Sequence, residues 1–172
     1  RVMTLPLLKL LGYRFSATNW SPQCIQSVWT AATTAFFGSF RMGEILADDE
    51  DHADPTSTLT WNNVRYRPES DSFLLHIRLP KTGAKEGDFV DIFPFPGHGT
   101  CPVAALKKQL VRQQEIGRGL PTDPVFGLAN GKHLTTSKMN RLLPVLLDGV
   151  IDGDRNKISF HSFRAALPSA MA

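Results

Sequence analysis

Two short motifs in the sequence join an arginine to a residue three positions away. Arg41 is followed by Glu44, and His161 is followed by Arg164. On a helix, one turn would aim both side chains of the second motif the same way. A guanidinium is always charged, and its fork of N–H groups fits the oxygen atoms of a phosphate or carboxylate. A histidine can take or give a proton near neutral pH. The motifs therefore suit chemistry at an oxyanion.

Each motif also has an ordinary structural interpretation. Arg41 and Glu44 could form an ion pair on a helix surface, worth about 0.2–0.5 kcal/mol. His161 is flanked by Phe160 and Phe163 and could be a core histidine bonded to the backbone. Taken singly the motifs decide nothing, because both spacings occur by chance in many proteins.

The helices that would position the first motif can be predicted from apolar periodicity. Ser21 and Pro22 are typical of a helix start, and apolar residues then recur at helical spacing to about Phe37. The next two residues interrupt that helix, and the segment RMGEILA predicts a second, short one.

The pattern then changes to three β-rich runs, NVRYR, SFLLHIRLP and DFVDIFPF, separated by turn residues. They predict a three-stranded antiparallel sheet. The segments CPVAALKKQLVRQQEIG and TTSKMNRLLPVLLDGVI predict two further helices, the second kinked at Pro144, and a last helix opens near His161. We therefore expect a mainly α fold with a small antiparallel β-sheet, an α+β class.

Composition excludes several other classes of protein. The chain has 172 residues, 42% of them hydrophobic and 20% charged, which is typical of one globular domain rather than of a disordered chain. An apolar run at residues 5–12 is too short to span a membrane and contains Pro6 and Lys9. Cys24 and Cys101 have neither disulfide nor zinc-site spacing. We expect a soluble, intracellular protein with no membrane partner and no metal.

The net charge of +3 is unevenly distributed along the chain. Five acids lie in the stretch DDEDHAD, the acidic loop of residues 48–54, so the remainder carries +8. A localised basic surface would favour a polyanionic partner, although a solvated face is the simpler interpretation of charge alone. We expect the acidic loop to point away from the pocket in which the side chains of the two motifs would converge on an oxyanion.

The segments FFGSFRMGEIL, LPKTGAKEGD, TCPVAAL and HSFRAALPSAMA, in that order, resemble the catalytic domain of tyrosine recombinases, also called phage-type integrases. The segments TCPVAAL and HSFRAALPSAMA most resemble the recombinases of DIRS-type and Crypton-type mobile elements. The resemblance runs from about residue 20 to the end. It implies a linker or lead-in at residues 1–19 and a recombinase catalytic domain at residues 20–172.

The resemblance also implies catalytic roles. Arg41 and Arg164 match the two arginines that bind the phosphate oxygens, with Glu44 as the supporting acidic neighbour of the first. Lys81 matches the hairpin lysine that protonates the leaving 5′ oxygen, and His161 would take the nucleophile's proton or bond the phosphate. The chemistry is attack by a tyrosine on DNA, through a 3′-phosphotyrosyl intermediate and with no cofactor.

Three further cations, Lys85, Lys138 and Arg141, are candidate DNA-binding residues, and Lys85 competes with Lys81 for the role of general acid. The expected partner is double-stranded DNA. The full-length protein is expected to self-associate, as a tetramer on paired sites. Its location would be the nucleus in a eukaryote and the cytoplasm otherwise.

The nucleophile is where the sequence departs from the family. The family's tyrosine follows the H-x-x-R motif, whereas the two tyrosines here are Tyr13 and Tyr66, and the sequence ends eight residues after Arg164. We therefore expect a fragment, truncated before the nucleophile helix and inactive on its own. The alternatives are a non-catalytic DNA-binding module derived from a mobile element, a protein-interaction domain, and a type IB topoisomerase.

Overall fold

The computed structural model describes residues 3–78, 80, 83, 85–96 and 99–149. Of the predicted site residues, Lys81, His161 and Arg164 lie outside these ranges. The described elements, in chain order, are α1 (Leu5–Ser16), α2 (Pro22–Gly38), α3 (Met42–Ile45), a 3-10 turn (Trp61–Asn63), β1 (Val64–Arg67), β2 (Ser72–Ile77), β3 (Asp88–Ile92), α4 (Pro102–Glu115) and α5 (Thr136–Leu146). The predicted α+β class, mainly helical with a small antiparallel sheet, is confirmed.

Helix α2 is the centre of the fold. Its first turn is capped by Ser21, whose Oγ accepts a hydrogen bond from the backbone N–H of Cys24 at 3.2 Å. Pro22 occupies the first helical position, where a missing N–H costs nothing. Every residue from Gln26 to Phe36 except Trp29 is buried, because α1, α4 and the sheet all pack against this helix.

Helix α1 lies within the segment that the sequence analysis assigned to a lead-in. Leu8, Leu11 and Phe15 are buried along one face of the helix. The ring of Phe15 meets the ring of Trp29 edge-on, with the centroids 6.1 Å apart. Helix α1 is therefore part of the same hydrophobic core as α2 rather than a separate connector.

The sheet has the strand order β1-β2-β3, and both pairings are antiparallel, as predicted. Its register aligns Tyr66 with Phe73 and Phe73 with Ile92. Alternate residues of β2, including Phe73 and Leu75, face the core. Strand β2 ends at Ile77, so the segment from Arg78 onward belongs to the hairpin connection instead of the strand.

Helix α4 packs on α2 through buried polar side chains as well as apolar ones. Gln26 Nε2 donates to the carbonyl oxygen of Ala105 at 3.2 Å, and Ser27 Oγ donates to that of Gly127 at 2.7 Å. Gln109 Nε2 donates to Ser27 Oγ at 2.8 Å. These bonds join α2, α4 and the loop after α4, and they satisfy groups that would be costly to bury alone.

Helix α5 begins at Thr136 with a cap from the preceding residue, since Thr135 Oγ1 accepts from the backbone N–H of Lys138 at 3.1 Å. It buries Met139, Leu143 and Leu146, which belong to the predicted apolar stripe. The helix continues through Pro144 and ends at Leu146, so it is shorter than the predicted segment. Within the described ranges, no helix has the length and apolar character needed to cross a membrane.

Candidate functional site

Arg41 is presented by the turn that ends α2. The backbone N–H of Phe40 donates to the carbonyl oxygen of Ala35 at 3.0 Å, and that of Ser39 donates to Phe36 at 3.4 Å. Ser39 has the left-handed conformation, with φ 54° and ψ 33°. This pair of bonds around a left-handed residue is a Schellman motif, which ends a helix and turns the chain away from its axis. Arg41 is the first residue after it.

Gly38 makes that turn possible because the ring of Phe40 lies directly against it. A Cβ atom at Gly38 would sit 2.2 Å from Phe40 Cε2 and 2.6 Å from Cδ2. The ring itself is only 4% exposed and so has little room to move. Phe40 therefore anchors the backbone immediately before Arg41.

Glu44 holds Arg41 through the backbone of that residue. The N–H of Arg41 donates to Glu44 Oε2 at 2.7 Å, and the N–H of Glu44 donates to the carbonyl oxygen of Arg41 at 2.9 Å. Glu44 is 8% exposed and Arg41 is half-buried. The acidic residue thus caps the N-terminus of α3 and binds the main chain of Arg41.

The Arg41–Glu44 turn lies beside the base of the β2–β3 hairpin. Glu44 lines a small cleft together with the residues that end β2, and the chain segment before the 3-10 turn forms the opposite wall. The lining residues are Glu44, Thr56, Ser57, Thr58, Leu59, Asn63, His76, Ile77 and Arg78. Lys81 follows Arg78 by three positions, a span of at most about 11 Å in an extended chain. The acidic neighbour of Arg41 and the hairpin therefore meet in one region.

The hairpin base is fixed by close backbone contacts. Gly87 has φ +80°, and a Cβ atom there would lie 2.5 Å from the carbonyl oxygen of Ile77. His76 Nε2 lies 3.0 Å from the carbonyl oxygen of Glu86, and its ring stacks on that of Phe89 with the centroids 4.4 Å apart. Lys85 is exposed in the turn above this base.

The start of α5 lies on the other side of the Arg41–Glu44 turn. A Cβ atom at Gly43 would be 4.0 Å from Thr136 Oγ1, which is ordinary van der Waals contact. Ala47 and Thr135 form a parallel β-bridge just beyond it. The structure therefore brings Arg41, Glu44 and the beginning of the helix that carries Lys138 into neighbouring positions.

The acidic loop lies against the predicted DNA-binding cations Lys138 and Arg141. Glu50 Oε1 is 3.9 Å from Lys138 Nζ and 3.6 Å from Arg141 Nη2. Asp51 Oδ1 forms an ion pair with Lys132 Nζ. Opposite charges favour the arrangement, because the loop brings two carboxylates within ion-pair distance of three cations.

Ionisation in this region follows from the same contacts. The hydrogen bond from Lys132 to the Asp51 carboxylate raises the pKa of Lys132. Burial lowers the pKa of the neighbouring His133, and the positive charge of Arg118 lowers it further. The surroundings thus favour the charged form of Lys132 and the neutral form of His133.

A larger pocket, of about 570 Å³, lies elsewhere in the fold, between α1, α2 and the start of α4. It is lined by Lys9, Gly12, Tyr13, Phe15, Ser16, Ile25, Gln26, Trp29, Gly99, Thr100 and Lys108. None of these described lining residues belongs to the predicted site. Pocket size alone therefore points to a different part of the fold from the predicted site residues.

Sequence reasoning missed Lys132 as a member of this region. It lies in the loop before α5, and its backbone neighbour His133 donates an N–H bond to the carbonyl oxygen of Glu50 at 2.8 Å. The available signal was the unpaired charge of the acidic loop, which predicts a basic counterpart without identifying it.

Searches with protein-family models and against curated proteins return no match for the chain. Among solved structures, it matches the XerH site-specific recombinase bound to palindromic difH substrate in a post-cleavage complex. The TM-score is 0.63 at 12% sequence identity, over 99% of this chain and 41% of the XerH chain. The chain thus spans about two fifths of that recombinase. The likeness extends through nearly all of this chain, which therefore has the tyrosine-recombinase fold that its motifs indicated.

Proposed function

We propose that this chain is part of the catalytic domain of a tyrosine-type site-specific DNA recombinase. In the proposed reaction a tyrosine oxygen bonds to a DNA phosphorus as the P–O5′ bond breaks, leaving a 3′-phosphotyrosyl enzyme and a 5′-hydroxyl. The reverse attack by another 5′-hydroxyl rejoins the strands. The element type, DIRS-like or Crypton-like, and tetramer formation on paired sites are finer parts of the same proposal.

The small cleft that Glu44 shares with the hairpin base is the observation that carries the proposal. Fold alone does not imply function, because function depends on the site. Here the acidic partner of Arg41 and the base of the hairpin that bears Lys81 occupy one region. The likeness to a recombinase bound to DNA supports the same assignment and supports DNA as the partner.

We assign Arg41 the role of stabilising the negative charge that develops on the phosphate oxygens during attack. Such charge is stabilised best by donors that are already in position before the reaction. The Schellman turn, the buried ring of Phe40 and the cap by Glu44 all fix the backbone of Arg41. The backbone of Arg41 is therefore fixed before DNA binds, which this role requires.

The remaining roles are carried by residues outside the described ranges and belong to the proposal. Lys81 donates a proton to the departing 5′ oxygen, His161 takes the proton of the attacking tyrosine, and Arg164 joins Arg41 on the phosphate oxygens. Neither Tyr13 nor Tyr66 is assigned as nucleophile, because both precede the H-x-x-R motif. The hydroxyl of Tyr66 also donates to Asp71 at 2.7 Å.

The test is duplex binding by this chain, measured by fluorescence anisotropy with a labelled mixed-sequence duplex. We expect weak binding whose affinity falls steeply as salt rises, because cations that contact phosphates release counterions. Arg41→Gln should weaken binding about three- to tenfold, which corresponds to about 0.7–1.4 kcal/mol and lies within the range of a typical single hydrogen bond. A nicked duplex should give no denaturation-resistant adduct with this chain.

The matched control is Arg14→Gln, which removes the same charge from α1, a helix that contributes no predicted site residue. Equal loss of affinity in both variants would show that Arg41 contributes to binding only through its positive charge. Absence of binding at low salt would favour a protein-interaction domain instead. A covalent adduct would show that Tyr13, Tyr66 or another group attacks, and the assignment of the nucleophile would be wrong.

A further inference from the structure

We propose that the acidic loop occupies, in the DNA-free protein, part of the surface that the DNA backbone takes on binding. The surface, here called the α5 surface, consists of Lys132, Lys138 and Arg141. The carboxylates of Glu50 and Asp51 stand where phosphates would stand. The inference rests on the proposed function, since it adds a regulatory contact to the same DNA-binding site.

The loop is anchored to this surface by its backbone as well as its side chains. The N–H of His133 donates to the carbonyl oxygen of Glu50 at 2.8 Å. Ala47, just before the loop, forms its β-bridge with Thr135, just before α5. Within the loop, Asp49 Oδ1 accepts from the backbone N–H of Asp51 at 2.7 Å and so fixes the turn. These contacts bring the Glu50 and Asp51 side chains to the α5 surface.

The carboxylates contact every member of the α5 surface. Glu50 Oε1 lies between Lys138 Nζ at 3.9 Å and Arg141 Nη2 at 3.6 Å, and Asp51 pairs with Lys132. Two carboxylates thus neutralise most of the charge of three cations. The arrangement reproduces the way a phosphodiester chain presents successive negative charges to a basic surface.

The ion pairs between the acidic loop and the α5 surface are weak enough for DNA to displace them. The Arg141 side chain is 74% exposed and that of Asp51 62% exposed, so solvent screens both pairs. Exposed ion pairs contribute little each, and salt weakens them further. A duplex that offers several phosphates can therefore replace the loop on this surface.

The α5 surface is continuous with the candidate site. Helix α5 begins next to Gly43, in the helix that Arg41 precedes, and the loop leaves α3 only a few residues later. A DNA backbone that reached Arg41 would therefore pass the start of α5. The loop can therefore limit non-specific DNA binding at the α5 surface without displacing Arg41.

The experiment measures duplex affinity for Glu50→Gln and Asp51→Asn by anisotropy at two salt concentrations. Each substitution keeps side-chain size and removes one carboxylate charge. We expect each to tighten binding roughly two- to fivefold at low salt, because the cations no longer exchange one partner for another. The gain should shrink at high salt, where the ion pairs of the unmodified protein are already screened.

The matched control is Asp48→Asn, which removes a charge from the same loop. Within the described ranges, Asp48 forms no ion pair. A second arm repeats Glu50→Gln in a protein that also carries Lys138→Gln and Arg141→Gln. If the loop acts through these cations, the gain from Glu50→Gln should disappear there.

The outcomes separate this proposal from the proposed function. Binding by the unmodified chain that Glu50→Gln and Asp51→Asn leave unchanged would overturn the loop proposal alone. An equal gain from Asp48→Asn, or a gain that persists without Lys138 and Arg141, would also overturn it. No binding by any variant at low salt would overturn both proposals.

Discussion

Replacing Gly38 with alanine tests how Arg41 is positioned. The added Cβ atom would lie 2.2–2.8 Å from three atoms of the Phe40 ring, whereas ordinary carbon contacts are about 3.5–4.0 Å. The ring must move by more than an ångström, yet it is 4% exposed and packed in the core. Overpacking of this kind costs about 1–3 kcal/mol. The better helix propensity of alanine returns about 0.5–1 kcal/mol.

We therefore expect Gly38→Ala to lower the free energy of unfolding by about 1 kcal/mol. Urea denaturation followed by tryptophan fluorescence measures it as a lower midpoint at unchanged slope. The matched control is Gly43→Ala, where the new Cβ atom would meet only Thr136 Oγ1 at 4.0 Å. That variant should be neutral or stabilising by up to about 1 kcal/mol.

A double variant identifies the ring as the cause. Phe40→Leu destabilises by itself, but Gly38→Ala should cost less in that background, because leucine lacks Cε2 and Cζ, two of the three ring atoms that the new Cβ would strike. Gly38→Ala should also weaken duplex binding, since Phe40 adjoins Arg41. If Gly38→Ala is as stable as the unmodified protein, or if its cost is the same with and without Phe40→Leu, this account of the turn is wrong.

Two further predictions concern buried polar groups away from the turn. Gln113 Oε1 accepts a hydrogen bond from Trp61 Nε1 at 2.8 Å. Gln113→Leu should therefore lower the free energy of unfolding, measured by urea denaturation, by about 1–3 kcal/mol. Gln114→Leu, at an exposed position, should leave it nearly unchanged. His133 has a lowered pKa from burial and from Arg118, so the unfolded chain binds the proton first. Stability should fall as pH drops through about 6.5, and His133→Gln should reduce that fall in melting temperature between pH 7.5 and 5.5. An unchanged pH dependence in the variant would contradict this.

Helix α2 and the sheet could be predicted because their signals are local. A capping serine, a proline at the first helical position and a 3.6-residue apolar period lie within one segment. Helix α1 was missed although Leu8, Leu11 and Phe15 have helical spacing and Thr4 precedes Pro6 as a cap would. The short apolar run was assigned to a lead-in, because composition does not show whether such a face finds a core to pack against.

The candidate site shows the limit of spacing arguments. An acidic residue three positions after Arg41 fits both a surface ion pair and a helix cap, and only the structure shows that Glu44 accepts from the backbone N–H. The contact of Glu50 with Lys138 and Arg141 depends on tertiary packing across a long stretch of chain. No local pattern encodes this contact, so the distribution of charge along the sequence does not predict it.

The polar contacts between α2 and α4 restrict how the two helices can be aligned. Apolar surfaces tolerate sliding, because one methyl group can replace another at little cost. Ser27 cannot slide, since it donates to Gly127 while accepting from Gln109, and a shift of one helical turn would break both bonds in a dry interior. The two helices therefore have a single alignment, and the bond from Ser27 fixes the loop that contains Gly127 relative to them. Through the bond from Leu134 N–H to the carbonyl oxygen of Phe126, at 3.0 Å, that alignment reaches the segment leading into α5.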